Sequence, residues 1–466
     1  MLKEIATKNR RIVSEIPHPK TKPVIRELEK IEPKSMAGFP PVVWNLARGY
    51  TVEDAFGNKW IDFTSSAALA NAGHSHPKIA AAIKEQVDRQ LWHNYCNPSD
   101  IRLKLVKKIR EIVPPYLNKI FLLTTGSEAT ECAIKLMRMY GRSKNKDKYR
   151  IISYKNSFHG RTMGSQMAGG FINQQEWMGK KPEGFYHIPY PDCAECPWGK
   201  KEYRDCGKEC FHNGIKQLKQ QRVKVETIAG VITETFPGPR VAFMPEDYVR
   251  ALGDWTKQND ILLVFDEIQA GFGRTGKWFG FEHYAVKPDM IALGKGMTSS
   301  LPMSAVAGRG KILDLARQGE MSSTHTGNPL CSAAAIANIE VIKDERMIEN
   351  ARKLETVVRK ELHKLKDKYP GYIGAINGKG LVWAVYMQNP HTGRLDIELA
   401  KKVTTLCMQR GLLMLQTHRG TLKMLPPLCI TVEALREGIG VIDGAIEDIL
   451  KKKEGGRKKA SVSSKA

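Results

Sequence analysis

The segment ILLVFDEIQAGFGRTGKWFGFEHYAVKPDMIALGKGM, residues 261–297, decides the fold. It contains two short apolar runs, ILLVF at 261–265 and MIAL at 290–293, and a polar side chain, Asp266 or Lys295, follows each run within two residues. Such short runs are typical of strands that are buried on both faces of a parallel sheet. The segment therefore predicts two parallel strands whose carboxyl ends present Asp266 and Lys295 at an edge where α/β sheets bind ligands.

Similar runs alternate with helical stretches earlier in the chain. They are KIFLL at 119–123, RIISY at 150–154 and IAGVIT at 228–233. Apolar residues at three- and four-residue spacing over 127–142 predict a helix that opens directly after a strand. This alternation predicts an α/β fold with a mostly parallel sheet covered by helices.

The chain divides into four predicted parts. Residues 1–74 contribute to a small domain, with little regular structure before residue 40, and residues 75–330 form the large domain with a cysteine-containing insert at 190–212. Residues 331–450 form a smaller α+β domain with a long helical region, two strands and a final helix. Residues 451–466 form a basic, flexible tail.

Composition excludes several classes of protein. The chain has 466 residues, 42% of them hydrophobic, and its apolar runs are far shorter than the roughly 20 residues that span a bilayer. The N-terminus lacks the apolar stretch of a secretory signal, and nine cysteines are an odd number for a disulfide framework. We therefore expect a cytoplasmic protein that does not enter a membrane.

The net charge of +24 invites a nucleic-acid hypothesis. However, the tail from residue 451 onward has seven basic residues and one acidic residue, and no nucleic-acid-binding motif accompanies the remaining charge. A solvated basic surface is the preferred interpretation, and attraction of a strongly anionic substrate or cofactor is a further one.

Chemically versatile residues follow the predicted strands. Lys295 lies between glycines at the end of an apolar strand, where desolvation lowers an amine pKa and favours a Schiff-base nucleophile, although such a lysine alone is more often a solvated loop residue. Asp266 is expected to be semi-buried and to need a cationic partner such as a protonated pyridine nitrogen, the alternative being an N-cap. The other strand-end residues are Gly126, Ser127, Phe158, His159, Glu234 and Gln269. Together they predict a pocket for pyridoxal 5′-phosphate (PLP).

Over residues 45 to 445 the chain resembles the class III (ω-amino acid) aminotransferases of PLP fold type I. The matching stretches are GYTVEDAFGNKWIDFTSS, NAGHSHP, TTGSEATECAIKLMR, FHGRTMGS, the run from Phe265 to Met297, and TGNPLCSAAA. The resemblance implies a large PLP-binding domain with a mostly parallel sheet and a smaller α+β domain. It also implies a homodimer with shared active sites.

The resemblance also implies roles for single residues. Lys295 would hold the cofactor as a Schiff base and move the substrate proton, and Asp266 would keep the pyridine nitrogen protonated. Gln269 would bind the phenolic oxygen, and Phe158 would stack on the ring. The phosphate would be held by Gly126 and Ser127 and by Thr324 of the neighbouring subunit, while His159 and Glu234 complete the expected cofactor contacts.

Two departures from the family concern substrate binding. Lys423 stands where the family usually has a carboxylate-binding arginine, and Pro239 stands near the position of its gating glutamate. Because an ammonium cannot reproduce a planar bidentate clamp, the donor is expected to lack a conventionally placed carboxylate. Arg161 and Arg240 are further candidates for substrate binding.

The sequence therefore predicts transamination of a β- or ω-amino donor to 2-oxoglutarate or pyruvate. The chain is similar to 3-aminobutyryl-CoA aminotransferases, so that a β-amino thioester is the first donor to consider. Aminotransferases of the 4-aminobutyrate or acetylornithine type, and a PLP racemase or aminomutase, are the alternatives.

Three motifs allow other interpretations. GFGRTG at 271–276 nearly matches a P-loop, but Trp278 replaces the required Ser or Thr. The four thiols of Cys193, Cys196, Cys206 and Cys210 have spacings that permit structural zinc or, alternatively, a reduced loop. His74 and His76 belong to the GHxHP pattern of the family, and no metal is assigned to the site.

Overall fold

A computed structural model describes residues 4–36, 40–196, 198, 199, 206, 208–417 and 419–463 of the chain. The protein is divided into two compact units. Unit 1 comprises Met1–Ala67, Gly73–Ser75 and Arg352–Ala466, and unit 2 comprises Ala68–Ala72 and His76–Ala351.

The described strands are β1 (Ile5–Ala6), β2 (Arg11–Ile12), β3 (Leu46–Arg48), β4 (Thr51–Glu53), β5 (Lys59–Asp62), β6 (Lys119–Leu123), β7 (Arg150–Tyr154), β8 (Phe185–Ile188), β9 (Ile228–Glu234), β10 (Leu262–Asp266), β11 (Met290–Leu293), β12 (Ser304–Gly308), β13 (Ile373–Lys379), β14 (Val382–Met387), β15 (Leu412–Leu413), β16 (Leu415–Gln416) and β17 (Thr421–Met424).

The described helices are α1 (Lys22–Ile31), α2 (Ser65–Ala68), α3 (Pro77–Asp88), α4 (Asp100–Ile112), α5 (Gly126–Lys144), α6 (Met163–Ala168), α7 (Glu209–Gln220), α8 (Glu246–Gln258), α9 (Gly310–Leu313), α10 (Pro329–Asp344), α11 (Met347–Lys368), α12 (Ile397–Gln409) and α13 (Val432–Ser463).

Unit 2 contains a seven-stranded sheet in the order β6-β12-β11-β10-β9-β7-β8. Strands β8, β7, β9, β10 and β11 run parallel, whereas β12 is antiparallel to both β11 and β6. The mostly parallel sheet and the five strands predicted in this region are confirmed. Because β6 and β11 are both antiparallel to β12, they run in the same direction. The carboxyl end of β6 therefore lies at the same edge as those of β9, β10 and β11.

The central strands are apolar on both faces because helices and turns cover them. Every residue of β9 and β10 is buried. Helix α5 begins with a capping box between Thr125 and Glu128, and it buries Ala129, Ala133, Leu136, Met137 and Tyr140. The spacing that predicts this helix therefore also selects its core face. Strands β8 and β12 were not predicted, because FYHI has only four residues, one of them a histidine, and SAVAG has small side chains apart from Val306.

Unit 1 contains two sheets. One has the order β1-β2-β5-β4-β3 with β15 paired to β5, and the other has the order β13-β14-β17-β16. The expectation of an irregular N-terminal segment is wrong, because α1 is a ten-residue helix and β1 and β2 join a sheet. Among its described residues, the C-terminal part has five strands rather than the two predicted.

The units divide the chain after residue 351, so that α10 lies in unit 2, although the sequence analysis places it in the small domain. In the predicted basic tail the described backbone continues α13 to Ser463, and residues 464–466 lie outside the described residues. Within the described chain, no helix has both the length and the apolar character needed to cross a membrane.

Candidate active site

Three strand ends meet at one edge of the unit 2 sheet. Asp266, the last residue of β10, pairs in register with Glu234 on β9 and with Ala292 on β11. Lys295 follows β11 by two residues, and its backbone has a left-handed φ of 44°. Parallel pairing therefore brings two carboxylates and one amine to the same edge, as the sequence predicts.

Lys295 is partly buried, and the charges of Asp266 and Glu234 act on its amine. Burial lowers its pKa, and the negative charges of Asp266 and Glu234 partly oppose this effect, so that the net pKa is below the ordinary value. A lowered amine pKa increases the fraction of the neutral, nucleophilic form at physiological pH. The carboxylates and the lysine are therefore close enough to influence one another electrostatically.

Asp266 is oriented by two hydrogen bonds. Its Oδ1 accepts from the backbone N–H of Ile268 at 3.1 Å, and its Oδ2 lies 2.7 Å from His159 Nδ1. Burial lowers the pKa of His159, but the bond to Asp266 and the charge of Glu234 outweigh burial, and the net pKa is raised. His159 Nε2 is buried without a hydrogen-bond partner in the described chain. These contacts orient the Asp266 carboxylate so that it could pair with a cationic ring nitrogen.

The Glu234 carboxylate joins two segments of the site. It accepts from the backbone N–H of Phe158 at 2.9 Å and from that of Gly238 at 3.1 Å. Burial raises its pKa to about 7, since the charges and hydrogen bonds that would lower it do not compensate. Glu234 therefore positions the aromatic residue and the loop that follows β9.

The start of α5 has features that are typical of an anion site. Thr125 Oγ1 caps the helix, Gly126 is its first residue, and Ser127 Oγ accepts from the backbone N–H of Arg161 at 3.3 Å. A Cβ on Gly160 would lie 2.4 Å from the hydroxyl of Ser127 and equally close to that of Ser165. Unsatisfied N–H groups at a helix N-terminus favour a phosphate, and the lack of a side chain on Gly160 allows the backbone to approach Ser127 closely.

These groups fit PLP. The edge combines a nucleophilic amine, an oriented buried carboxylate, an aromatic ring and a helix N-terminus, which match the aldehyde, ring nitrogen, ring face and phosphate of that cofactor. The unpartnered His159 Nε2 is a further polar atom at this edge. The set was predictable because each residue follows a recognisable strand.

The remaining predicted residues occupy varied positions. The backbone of Gly238 is close to Gln269, since a Cβ there would lie 3.5 Å from its amide. Thr324 is exposed. Its neighbour Ser323 lies 3.3 Å from the Thr124 hydroxyl, just before α5. Arg161 is exposed, with its guanidinium 5.5 Å from the centre of the Phe158 ring.

Two predicted substrate-binding cations, Arg240 and Lys423, have little exposure to solvent. Arg240 forms ion pairs with Asp192, at 3.2 Å, and with Glu195. Lys423 is buried on β17 in unit 1, where its neighbours across the sheet are Ala384 and Leu415.

One buried carboxylate was missed by the sequence analysis. Glu267 accepts hydrogen bonds from the Thr235 hydroxyl and from the backbone N–H groups of Gly280 and Phe281, at 2.5 to 2.8 Å. Burial raises its pKa to about 7 despite these bonds. It anchors the segment that follows GFGRTG. The signal was present, because an acidic residue directly after the end of a buried strand needs hydrogen-bond donors.

The motifs with alternative interpretations have structural explanations. Arg274 of GFGRTG is fully buried and donates to Asn71 Oδ1 at 2.6 Å, and no α-helix follows the turn. His74 is bonded to Asp62, and His76 caps α3 and bonds to Glu345. In the part of the chain that the structure describes, no group of three or more His, Cys, Asp or Glu residues has a metal-binding arrangement.

Comparison with known proteins decides the family. Residues 34–446 match the family model described as aminotransferase class-III. The chain belongs to the class III aminotransferases. As a member of this family it is a PLP-dependent enzyme of fold type I, and the predicted fold class, enzyme class and cofactor are confirmed.

Three relatives illustrate the range of the family. A leucine/methionine racemase from Thermococcus litoralis is 35% identical, covering 91% of this chain and 95% of the relative. An acetylornithine aminotransferase from Agrobacterium fabrum is 30% identical, covering 88% of this chain and 95% of the relative. The solved structure of an (S)-enantioselective omega-transaminase from Thermomicrobium roseum is 27% identical, with a TM-score of 0.82 and coverage of 91% and 98%.

The arrangement assigns chemistry to the residues of this class III aminotransferase. PLP, when bound, supplies an aldehyde that captures amines and a ring that accepts the electron pair released at the donor carbon. Lys295 Nζ would hold this group covalently, and it would accept and return the substrate proton. Asp266 can stabilise positive charge at the ring nitrogen, and the start of α5 can hold the phosphate.

Proposed function

We propose that the enzyme transfers an amino group from a β- or ω-amino donor to 2-oxoglutarate or pyruvate. The observation that supports the proposal is the position of Lys295, whose amine has a lowered pKa and lies under the influence of Asp266 and Glu234. A neutral amine is the form that reacts with an aldehyde and that accepts a proton.

In this proposal each expected cofactor-binding residue contacts a different part of PLP. Phe158 stacks on the ring, Gln269 binds the phenolic oxygen, and Gly126 and Ser127 hold the phosphate. His159 acts through Asp266, because their 2.7 Å contact orients the carboxylate.

One sequence feature supports a donor without a conventionally placed carboxylate. Lys423 replaces the arginine typical of the family, and an ammonium gives no bidentate clamp. Arg161 remains a candidate for a polar or anionic substrate group, because its guanidinium is exposed beside Phe158. A β-amino thioester such as 3-aminobutyryl-CoA combines a masked carboxyl group with a polyanionic nucleotide, which suits a net charge of +24.

The proposal includes a cytoplasmic homodimer with shared active sites. Thr324 is exposed, next to a residue that contacts the segment before α5. We propose that this threonine reaches the phosphate in the neighbouring subunit. Equilibrium sedimentation with and without PLP tests the assembly, and a monomer with full activity would contradict it.

Racemisation is the second candidate. The support is the leucine/methionine racemase, which is 35% identical over nearly the whole chain. A racemase can use the same lysine and carboxylate, but it returns the proton to the substrate carbon and releases no keto product. The two reactions therefore differ in products rather than in the first bond broken.

A donor screen tests the proposal. Protein loaded with PLP would be incubated with 3-aminobutyryl-CoA, β-alanine, 4-aminobutyrate or N-acetylornithine and either 2-oxo acid, and new glutamate or alanine would be measured by mass spectrometry. The proposal predicts amino transfer from at least one donor, with none in the Lys295→Ala control. Interconversion of amino-acid enantiomers without amino transfer would favour the racemase, and inactivity in both assays would contradict both candidates.

A further inference from the structure

The loop that follows β9 contains an unusual backbone conformation. Val241 is fully buried and has a φ of 53°, in the left-handed region that β-branched residues rarely adopt. The turn is closed by hydrogen bonds from the N–H groups of Arg240 and Val241 to the Pro237 carbonyl, at 3.0 and 2.9 Å. Such a conformation persists only where surrounding contacts stabilise it.

One side of this loop contacts the cofactor edge. The Gly238 N–H donates to Glu234, which also accepts from the Phe158 N–H. A Cβ on Gly238 would lie 3.5 Å from the Gln269 amide. A shift of the loop would therefore disturb residues assigned to the ring face and to the phenolic oxygen.

The other side of the loop is tied to the segment that opens the cysteine-containing insert. Arg240 pairs with Asp192 and with Glu195, and the Tyr190 hydroxyl donates to the Ala242 carbonyl at 2.8 Å. The Asp192 side chain is only 6% exposed and that of Arg240 is 17% exposed. Loss of one partner from such a pair leaves the other charge poorly solvated.

We propose that Arg240 is a positioning residue: together with Asp192 and Glu195 it holds residues 237–242 against the cofactor edge, and it does not bind the donor carboxylate. The inference rests on the proposed function, because it concerns the loop beside the donor site. It gives Arg240 a role different from the substrate contact that the sequence suggests. It also gives the start of the insert a function in the active site.

The positioning role and the substrate-binding role of Arg240 predict opposite effects when its acidic partners are removed. If Arg240 positions the loop, the Arg240→Ala variant and an Asp192→Asn/Glu195→Gln double variant should share one phenotype. If Arg240 binds substrate, removal of the acidic partners should release the guanidinium and strengthen carboxylate binding. Arg240→Lys adds a mild variant that keeps the charge but loses the planar geometry.

The experiment combines two readouts. Apoprotein would be titrated with PLP and followed by visible absorbance, and KM and kcat would be measured for β-alanine and for a monoamine without a carboxylate. Arg250→Ala, which removes an exposed arginine from α8, is the control.

The positioning role predicts that both sets of variants raise the PLP half-saturation concentration by about 10-fold, with no further increase when they are combined. Activity should fall equally with both donors. A KM increase confined to β-alanine in Arg240→Ala, or a lower β-alanine KM in the double variant, would overturn the inference. Because the PLP titration needs no turnover, it still tests the loop if the proposed donors are inactive.

Discussion

Two glycine-containing turns of unit 2 resemble phosphate sites in sequence, but they differ in structure. The turn before α5 leads into a 19-residue helix, and Gly160 packs so closely against Ser127 that a Cβ there would clash with its hydroxyl. The GFGRTG turn at 271–276 leads into no α-helix, and its arginine is buried on Asn71. Only the first turn therefore has the N–H groups and the helix dipole that stabilise an anion.

The difference teaches that a glycine pattern is informative only with its neighbouring elements. At the first turn the Ser127 hydroxyl accepts from the Arg161 N–H, and Gly160 packs against Ser127 at the start of α5. In the second turn Glu267 holds the following backbone through the N–H groups of Gly280 and Phe281. The comparison supports the proposal that the first turn binds the cofactor phosphate, whereas the contacts of the second turn stabilise the fold.

The largest expected effect is the difference in turnover between variants of two lysines, Lys295 at the sheet edge and Lys277 after GFGRTG. Lys295→Ala should reduce turnover by at least about 1,000-fold, because it removes the covalent link and the proton acceptor together. Lys277→Ala, at an exposed position directly after GFGRTG, should change turnover by less than about 2-fold, as is usual for surface substitutions. Steady-state rates of amino transfer provide the measurement, and equal losses in the two variants would refute the assignment.

A substitution at Gly160 tests the first turn. Gly160→Ala should weaken PLP binding by about 100-fold, because its Cβ would lie 2.4 Å from two hydroxyl groups and its φ of 136° suits glycine alone. Gly179→Ala is a matched control, since that glycine also has a positive φ of 57° but open surroundings. Absorbance titration of each apoprotein measures the effect, and unchanged affinity in Gly160→Ala would show that this turn does not bind the cofactor.

A substitution at Arg274 tests the second turn. Arg274→Ala should lower the stability of the apoprotein by about 3 kcal/mol, because it removes a buried charge-assisted hydrogen bond to Asn71 and leaves a cavity. PLP affinity of the folded fraction should stay within about 3-fold of the parent protein, a difference of less than 1 kcal/mol. Thermal unfolding and PLP titration measure the two quantities. Lost affinity with unchanged stability would reverse the comparison.

A further expected effect concerns the pH dependence of stability. Burial raises the pKa of Glu234 and of Glu267 from 4.5 to about 7 in the folded protein. The folded state therefore binds more protons than the unfolded state in this range, and apoprotein stability should fall as pH rises from about 4.5 to about 7. Glu234→Gln, a neutral and nearly isosteric change, should flatten this slope. Thermal unfolding across the range measures it, and a steeper slope in the variant would contradict the sign.

Much of the geometry of the candidate site could be predicted from sequence. Asp266 and Lys295 each follow an apolar strand within two residues, and the parallel sheet brings such ends together without long-range information. The helix at Gly126 was predictable from its apolar spacing and from the turn before it.

The missing parts depend on contacts between distant segments. The pairing of Arg240 with Asp192 joins residues 48 positions apart, and nothing in the local pattern identifies it. The strands of unit 1 were underestimated because segments such as IGAINGK lack apolar alternation. In such strands, pairing with neighbours rather than local preference determines the structure.

The most direct test of the central claim is the identity of the lysine that holds the cofactor. PLP-loaded protein would be reduced with borohydride, which fixes the cofactor to its lysine, then digested and mapped by mass spectrometry. Our account predicts a PLP-derived mass on the peptide that contains Lys295 and none after Lys295→Ala. Modification of a different lysine, or no modification of fully loaded protein, would contradict it.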